Sequence, residues 1–126
     1  MRKRLLSLLA LLPLLGCGAS QQFVAVPLEI NRDAVAKQTI DVTAENFHFT
    51  PEVIHVKKGT LVTLRVRAIK GTHGFELGAF GIDETIEENQ TKVIEVYAGK
   101  EGEYSFRCSH FCGLGHFGMT GRVIIE

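Results

Sequence analysis

Apolar and polar residues alternate along several short stretches in the last two thirds of the chain. In the clearest one, Val62, Leu64, Val66 and Ala68 fall on one face and the residues between them on the other, as in a strand with one buried face. Glycine-containing turn signals follow or precede such stretches, and no amphipathic helix of useful length is evident. The predicted strands cover residues 39–44, 53–56, 62–68, 93–98, 104–108 and 122–125. This spacing predicts an all-β fold, an antiparallel sandwich or barrel with its chemistry in the loops at one end.

The N-terminus has a different pattern. Basic residues at positions 2–4 precede an apolar run over residues 5–15, which ends at Gly16-Cys17. This is the layout of a signal peptide, and the run is about half of the ~20 residues that a membrane-spanning helix requires. We therefore expect a signal peptide at 1–16, a short tether at 17–38 and one folded domain at 39–126.

The residues around the predicted cleavage site resemble a bacterial lipobox, Leu-Leu-Gly-Cys, in which Cys17 becomes the first residue and carries lipid. The alternative is that Cys17 is an ordinary residue near the cleavage site. A lipidated Cys17 would place the protein, after export, on the outer face of the bacterial cytoplasmic membrane or in the periplasm, held by more than one acyl chain.

The chain carries 14 basic and 14 acidic residues. Loss of residues 1–16 removes three basic residues and no acidic one, which leaves a net charge of about −3. A basic footprint is missing, so nucleic acid is not an expected partner. A mildly acidic surface is compatible with a basic protein partner.

The segment 108–119, CSHFCGLGHFGM, concentrates two thiols, two imidazoles and a thioether in twelve positions. Thiolate, thioether and imidazole are the ligands that favour copper over hard cations. Zinc is the competing interpretation, but methionine is not a usual zinc ligand. A disulfide between Cys108 and Cys112 would close only a very short loop and so stabilise the fold little.

Two kinds of copper site suit these residues. A mononuclear blue-copper site needs one cysteine, two histidines and a weak axial methionine; Cys112, His116, Met119 and an upstream histidine would supply them. That arrangement leaves Cys108 without a role. Two thiolates in one loop suit a site in which they bridge two metals.

The spacing C-x-x-x-C-x-x-x-H-x-x-M at Cys108, Cys112, His116 and Met119 resembles the CuA motif of cytochrome c oxidase subunit II, a cupredoxin, and is most similar to the ba3-type oxidases. The resemblance covers most of residues 39–126, and the motif Gly-Thr-His-Gly-Phe at 71–75 stands where that family has its first histidine. It implies a cupredoxin-like Greek-key sandwich around a binuclear copper centre.

The resemblance also implies a role for each residue. Cys108 and Cys112 would bridge both copper ions, and His73 and His116 would each bind one of them. The weak ligands would be Met119 and the backbone carbonyl of His110. Gly113 and Gly115 would allow the loop to fold tightly around the metals.

The function implied by the resemblance is electron transfer. Electrons would come from cytochrome c or another small redox protein and pass to the catalytic subunit of a membrane terminal oxidase. Catalysis by the chain alone is not expected. The alternatives are a mononuclear blue-copper carrier and a copper chaperone or sensor for oxidase assembly; a nitrous oxide reductase is disfavoured, because that enzyme has a second, catalytic domain.

Three departures from the family pattern bear on the partners. Most family members have glutamate at the position of His110, where it also reaches a magnesium ion, and imidazole suits a hard cation poorly. The chain has no tryptophan, whereas many members receive electrons through one. It also lacks the transmembrane helices of subunit II, and the lipid at Cys17 would substitute for them as the anchor. An apolar docking surface could instead be formed by phenylalanines, although core positions are favoured for them; these are Phe47, Phe49, Phe111 and Phe117.

Two further groups are expected to be ordinary surface residues. His48 and His55 lie in the first strands and are predicted to be solvated rather than metal ligands. An acidic cluster follows the His73 segment and could steer a basic cytochrome, although a solvated loop is the favoured interpretation. It comprises Asp83, Glu84, Glu87 and Glu88.

Overall fold

The computed structural model describes residues 25–126. Its strands form two facing sheets of short segments, as the alternation predicts. In chain order they are β1 (Ala36–Glu45), β2 (His48–Thr50), β3 (Val53–Val56), β4 (Thr60–Ala68), β5 (His73–Leu77), β6 (Ile82–Ile86), β7 (Thr91–Tyr97), β8 (Gly102–Arg107) and β9 (Thr120–Ile125). The predicted all-β sandwich is confirmed. The predicted signal peptide and Cys17 lie outside the described residues.

The sandwich is mixed rather than purely antiparallel. One sheet has the order β2-β1-β4-β7 and the other the order β3-β9-β8-β5-β6. β1 pairs with β4 in parallel, and β3 pairs with β9 in parallel. The expectation of an antiparallel sandwich was therefore wrong for these two pairs. Alternation shows which face of a strand is buried, but it contains no information about the direction of the neighbouring strand.

Three strands fall outside the predicted set. β2 is only three residues long, and β5 and β6 occupy the glycine-rich and acidic segments that were not expected to form strands. Four of the five residues of β5 are buried, including Gly74, so this strand shows no polar and apolar alternation. Helical structure within residues 25–126 is restricted to the 3-10 turns Gly78–Phe80 and His116–Gly118, and none of it could span a membrane.

The core at one end of the sandwich is a cluster of three phenylalanine rings. Phe49 makes edge contacts with Phe75 and Phe106, with ring centroids 5.8 and 5.1 Å apart, and Phe75 lies 5.0 Å from Phe106. All three side chains are buried. Because side chains two residues apart share a face, Phe75 and His73 on β5 both point inward, as do Phe106 and Cys108 at the end of β8.

The segment that leads into β1 lies against the open edge of β7. The Tyr97 amide donates to the Ala25 carbonyl at 2.9 Å, and Arg32 pairs with Glu95 at 2.7 Å. Tyr97 is registered with Leu61, near the start of β4, whereas His73 follows the far end of that strand. Ala25 therefore lies at the opposite end of the sandwich from His73.

Replacing Phe49 by alanine should destabilise the metal-free protein by about 3 to 5 kcal/mol, because the truncation leaves a cavity among packed rings. The matched control is Phe117→Ala, the same truncation at a side chain that is 85% exposed, which should change the free energy of unfolding by less than about 0.5 kcal/mol. Urea denaturation of the full-length chain measures both values. Similar losses in the two variants would contradict the assignment of Phe49 to the core.

Candidate metal centre

One strand and one loop at the same end of the sandwich supply the predicted ligands. His73 is the first residue of β5, and the segment from Cys108 to Met119 connects β8 to β9. The backbone of this segment closes on itself, since the Cys108 amide donates to the Met119 carbonyl at 3.0 Å. The ends of the loop are thus held together directly above the phenylalanine cluster.

The two thiols lie side by side without a disulfide. The Sγ atoms of Cys108 and Cys112 are 3.6 Å apart, well beyond the length of a sulfur–sulfur bond, and both cysteines are free. Cys108 is buried and Cys112 half-buried. Burial, followed by the contact with Cys108, raises the pKa of the Cys112 thiol to about 11. Without a metal this thiol is protonated at neutral pH.

His73 is fully buried and its ring is oriented by the backbone. Nε2 lies 3.3 Å from the Ile69 carbonyl, to which it can donate, and Nδ1 faces the Cys108 Sγ at 4.0 Å. Burial lowers the pKa of His73, although hydrogen bonds to the backbone carbonyls of Ile69 and Lys70 partly oppose this shift. The ring is therefore neutral at physiological pH, with the Nδ1 lone pair directed at the thiols.

The other two predicted donors approach Cys112. His116 Nδ1 lies 3.7 Å from the Cys112 Sγ, and Met119 Sδ lies 3.9 Å from the same sulfur. Met119 is completely buried, whereas His116 is half-exposed at the start of a 3-10 turn. Each histidine thus faces a different sulfur of the pair.

His110 contributes its backbone rather than its imidazole to this centre. Its carbonyl oxygen lies 3.1 Å from the Cys108 Sγ, and its side chain is exposed. The structure therefore brings together donor atoms from all six predicted residues of the domain. Cys17, the predicted lipid attachment site, lies outside the described residues.

Gly74 contacts the ligand loop so closely that no side chain would fit. Its amide donates to the Cys108 Sγ at 3.3 Å, and a Cβ on Gly74 would stand 2.3 to 2.5 Å from the Ser109 hydroxyl and from the Ser109 and His110 amides. The Ser109 hydroxyl in turn donates to Asp83 Oδ1 at 2.5 Å. The sequence analysis gave none of these three residues a role at the metal centre, and it named Asp83 only as part of an acidic cluster. The glycine directly after His73 was the available signal.

Phe47 covers the other side of the loop. A Cβ on Gly115 would lie 2.3 Å from the Phe47 ring, and one on Gly113 would lie 2.9 Å from it. Gly113 also has a positive φ of 133°, which disfavours any side chain. The expectation that these glycines permit tight folding agrees with this packing.

The expected phenylalanine surface is divided between the core and the rim of the site. Phe49 is buried, whereas Phe111 and Phe117 are exposed and contact His116, with ring centroids 5.5 and 5.1 Å from its imidazole. Phe47 is 38% exposed. Leu114, which lies between Phe111 and Phe117 in the sequence, is almost fully exposed. His48 and His55 are exposed strand residues, as predicted.

The chemistry of the donor set fits copper. Ligand atoms of His73, Cys108 and Cys112 all lie within 4.8 Å of one another, with Met119 and His116 next to Cys112. Two thiols, two imidazoles and a thioether form a soft set that a hard cation would not favour. Three of the donors are also buried away from water, namely His73, Cys108 and Met119.

Comparisons with known proteins agree with the fold. The family model described as a cupredoxin-like domain matches residues 8–125. Cytochrome c oxidase subunit 2 of Thermus thermophilus is 26% identical over 88 residues, which are 70% of this chain and 65% of that protein. The nitrous-oxide reductase of Cupriavidus necator is 29% identical over 94 residues, 71% of this chain but 15% of the enzyme.

A solved structure shows the same fold. The periplasmic domain of subunit II of cytochrome oxidase from Bradyrhizobium japonicum superimposes with a TM-score of 0.65 at 18% identity, covering 70% of this chain and 83% of that domain. The chain thus spans somewhat less than two thirds of the Thermus relative and a small part of the reductase.

Copper binding should release protons and should therefore strengthen with pH. Because the Cys112 thiol has a pKa of about 11, a metal must displace its proton at any pH below that value. Between pH 7.5 and 9 the apparent affinity for Cu(I) should rise at least about tenfold per pH unit. Competition with a chromophoric Cu(I) chelator measures this dependence. An affinity that does not change over this range would contradict metal binding through the Cys112 thiolate.

Proposed function

This chain belongs to the cupredoxin-like domain family, with a site of His, Cys and Met donors that suits copper, and we propose that it transfers electrons through a binuclear CuA centre. The observation that carries the proposal is the pair of thiol sulfurs 3.6 Å apart, each faced by a different histidine. A mononuclear site would leave Cys108 unused although it is buried in the middle of the cluster.

Each ligand has a defined part in this proposal. Cys108 and Cys112 would both hold the copper ions, His73 and His116 would each bind one of them, and weaker contacts would come from Met119 and the His110 carbonyl. Copper, when bound, supplies a one-electron redox change. The surrounding chain keeps the donors in place during that change, because His73, Cys108 and Met119 are packed in the core.

Burial of the donors also bears on the alternative function as a copper chaperone. A copper chaperone must release its metal to a recipient, which requires ligands that a competing protein can reach. Three donors of this site are at most 2% exposed: His73, Cys108 and Met119. Their burial favours a resident redox centre over a transfer site.

The rim of the site supports docking to a redox partner. Phe111 and Phe117 contact the half-exposed imidazole of His116. Exposed apolar side chains around a polar atom are typical of interaction surfaces. We propose that a small redox protein such as cytochrome c donates electrons here, steered by acidic residues on and after β6, and that a terminal oxidase subunit accepts them.

The path of the N-terminal segment is compatible with a lipid anchor at Cys17. Ala25 contacts Tyr97 at the end of the sheet opposite the metal centre. We propose that the protein is exported and anchored there, so that the copper end faces away from the bilayer.

The EPR spectrum of the copper-loaded, full-length protein tests the nuclearity. An unpaired electron shared by two equivalent copper nuclei should give a seven-line hyperfine pattern, and both Cys108→Ser and Cys112→Ser should abolish it, because either change removes a bridge.

Cys108 discriminates between the two copper sites. A blue-copper site would show a four-line pattern in the native protein and would retain it in Cys108→Ser, while losing it in Cys112→Ser. That combination of results would exclude the binuclear centre and would leave a mononuclear carrier.

The anchor is tested by fractionation of cells that express the full-length chain. Cys17→Ser should move the protein from the membrane fraction to the soluble fraction, because the acyl chains provide the membrane affinity. Cys112→Ser is the matched control and should remain with the membrane. A Cys17→Ser protein that stays in the membrane fraction would show that this cysteine is not the anchor.

A further inference from the structure

The contact between Asp83 and Ser109 lies outside the set of metal ligands but adjoins it directly. Ser109 follows Cys108 in the chain, and its hydroxyl donates to Asp83 Oδ1 at 2.5 Å. Asp83 is on β6, the edge strand of its sheet, and is registered with Glu76 of β5. The hydrogen bond therefore links the ligand loop to a strand that supplies no ligand.

We propose that Asp83 is a positioning residue for the metal centre, acting through Ser109 to hold the ligand loop against β5. The Ser109 hydroxyl and amide lie over Gly74, in the space that a Cβ would occupy. Asp83 thus keeps this part of the loop on the glycine, and the Gly74 amide stays within hydrogen-bonding distance of the Cys108 Sγ, at 3.3 Å. A displaced loop would move both the Cys108 sulfur and the His110 carbonyl.

The strength and the placement of this hydrogen bond suit it to hold the ligand loop. A hydrogen bond to a carboxylate is shorter and stronger than one between neutral groups, and groups that orient metal ligands typically affect metal affinity 10- to 100-fold. Asp83 also adds a negative charge near the centre, which by itself would disfavour reduction. The two contributions can be separated, because asparagine retains an oxygen acceptor but not the charge.

The proposal rests on copper binding at this site but not on the number of copper ions. Its test is the rate at which the copper-loaded, full-length protein loses metal to an excess of chelator. Ser109→Ala and Asp83→Ala should each lose copper about tenfold faster than the native protein and should show a shifted EPR spectrum. Asp83→Asn should remain within about threefold of the native rate, because it preserves the acceptor.

A double-mutant cycle tests whether the two residues act together. The variant with both alanines should lose copper no faster than either single variant, because the same hydrogen bond is removed in each. Glu88→Gln removes an exposed charge in the same acidic cluster and should leave the rate unchanged. Urea denaturation of each metal-free variant should show one cooperative transition, as in the native protein, which shows that the variant is folded.

Two results would overturn the proposal. A native rate of copper loss in Ser109→Ala would show that the hydrogen bond does not position the loop. Equal effects of Asp83→Asn and Asp83→Ala, with additivity in the cycle, would show that Asp83 acts through its charge alone. A four-line EPR spectrum in the native protein would reject the binuclear centre but would leave these rate comparisons valid.

Discussion

The direct backbone contact between β5 and the ligand loop at Gly74 is the constraint on which the metal centre depends. His73 is on β5 and five of the donors are on the loop, so the two segments must meet for the donors to form one cluster. The Gly74 amide reaches the Cys108 sulfur at 3.3 Å only because no Cβ separates the backbones. Any side chain at this position would separate His73 from the thiols.

The core continues directly into the site. On β5 and at the end of β8, the phenylalanine two positions away from each ligand faces the same interior, and the rings of Phe75 and Phe106 pack 5.0 Å apart beneath the donors. The ligands are therefore extensions of a close-packed core. This packing suits an electron-transfer site, whose donors should move little when the charge of the centre changes.

The two histidine ligands differ in their exposure to solvent. Of the two imidazoles, His73 is buried, and His116 is half-exposed and contacts Phe111 and Phe117. In the proposed function, electrons would enter near His116, while His73, Cys108 and Met119 remain buried. Ala25, the first described residue, contacts Tyr97 at the end of the sandwich opposite this surface.

The amino-acid sequence by itself determined the strand periodicity, the class of fold and the soft donor set, because these depend on residue types at short and regular spacings. Only the tertiary structure decided the parallel pairing of β1 with β4 and the burial of Phe49 but not Phe117. It also decided that Asp83 contacts Ser109, 26 positions away. Such contacts depend on which strands become neighbours, and alternation along one strand contains no information about that choice.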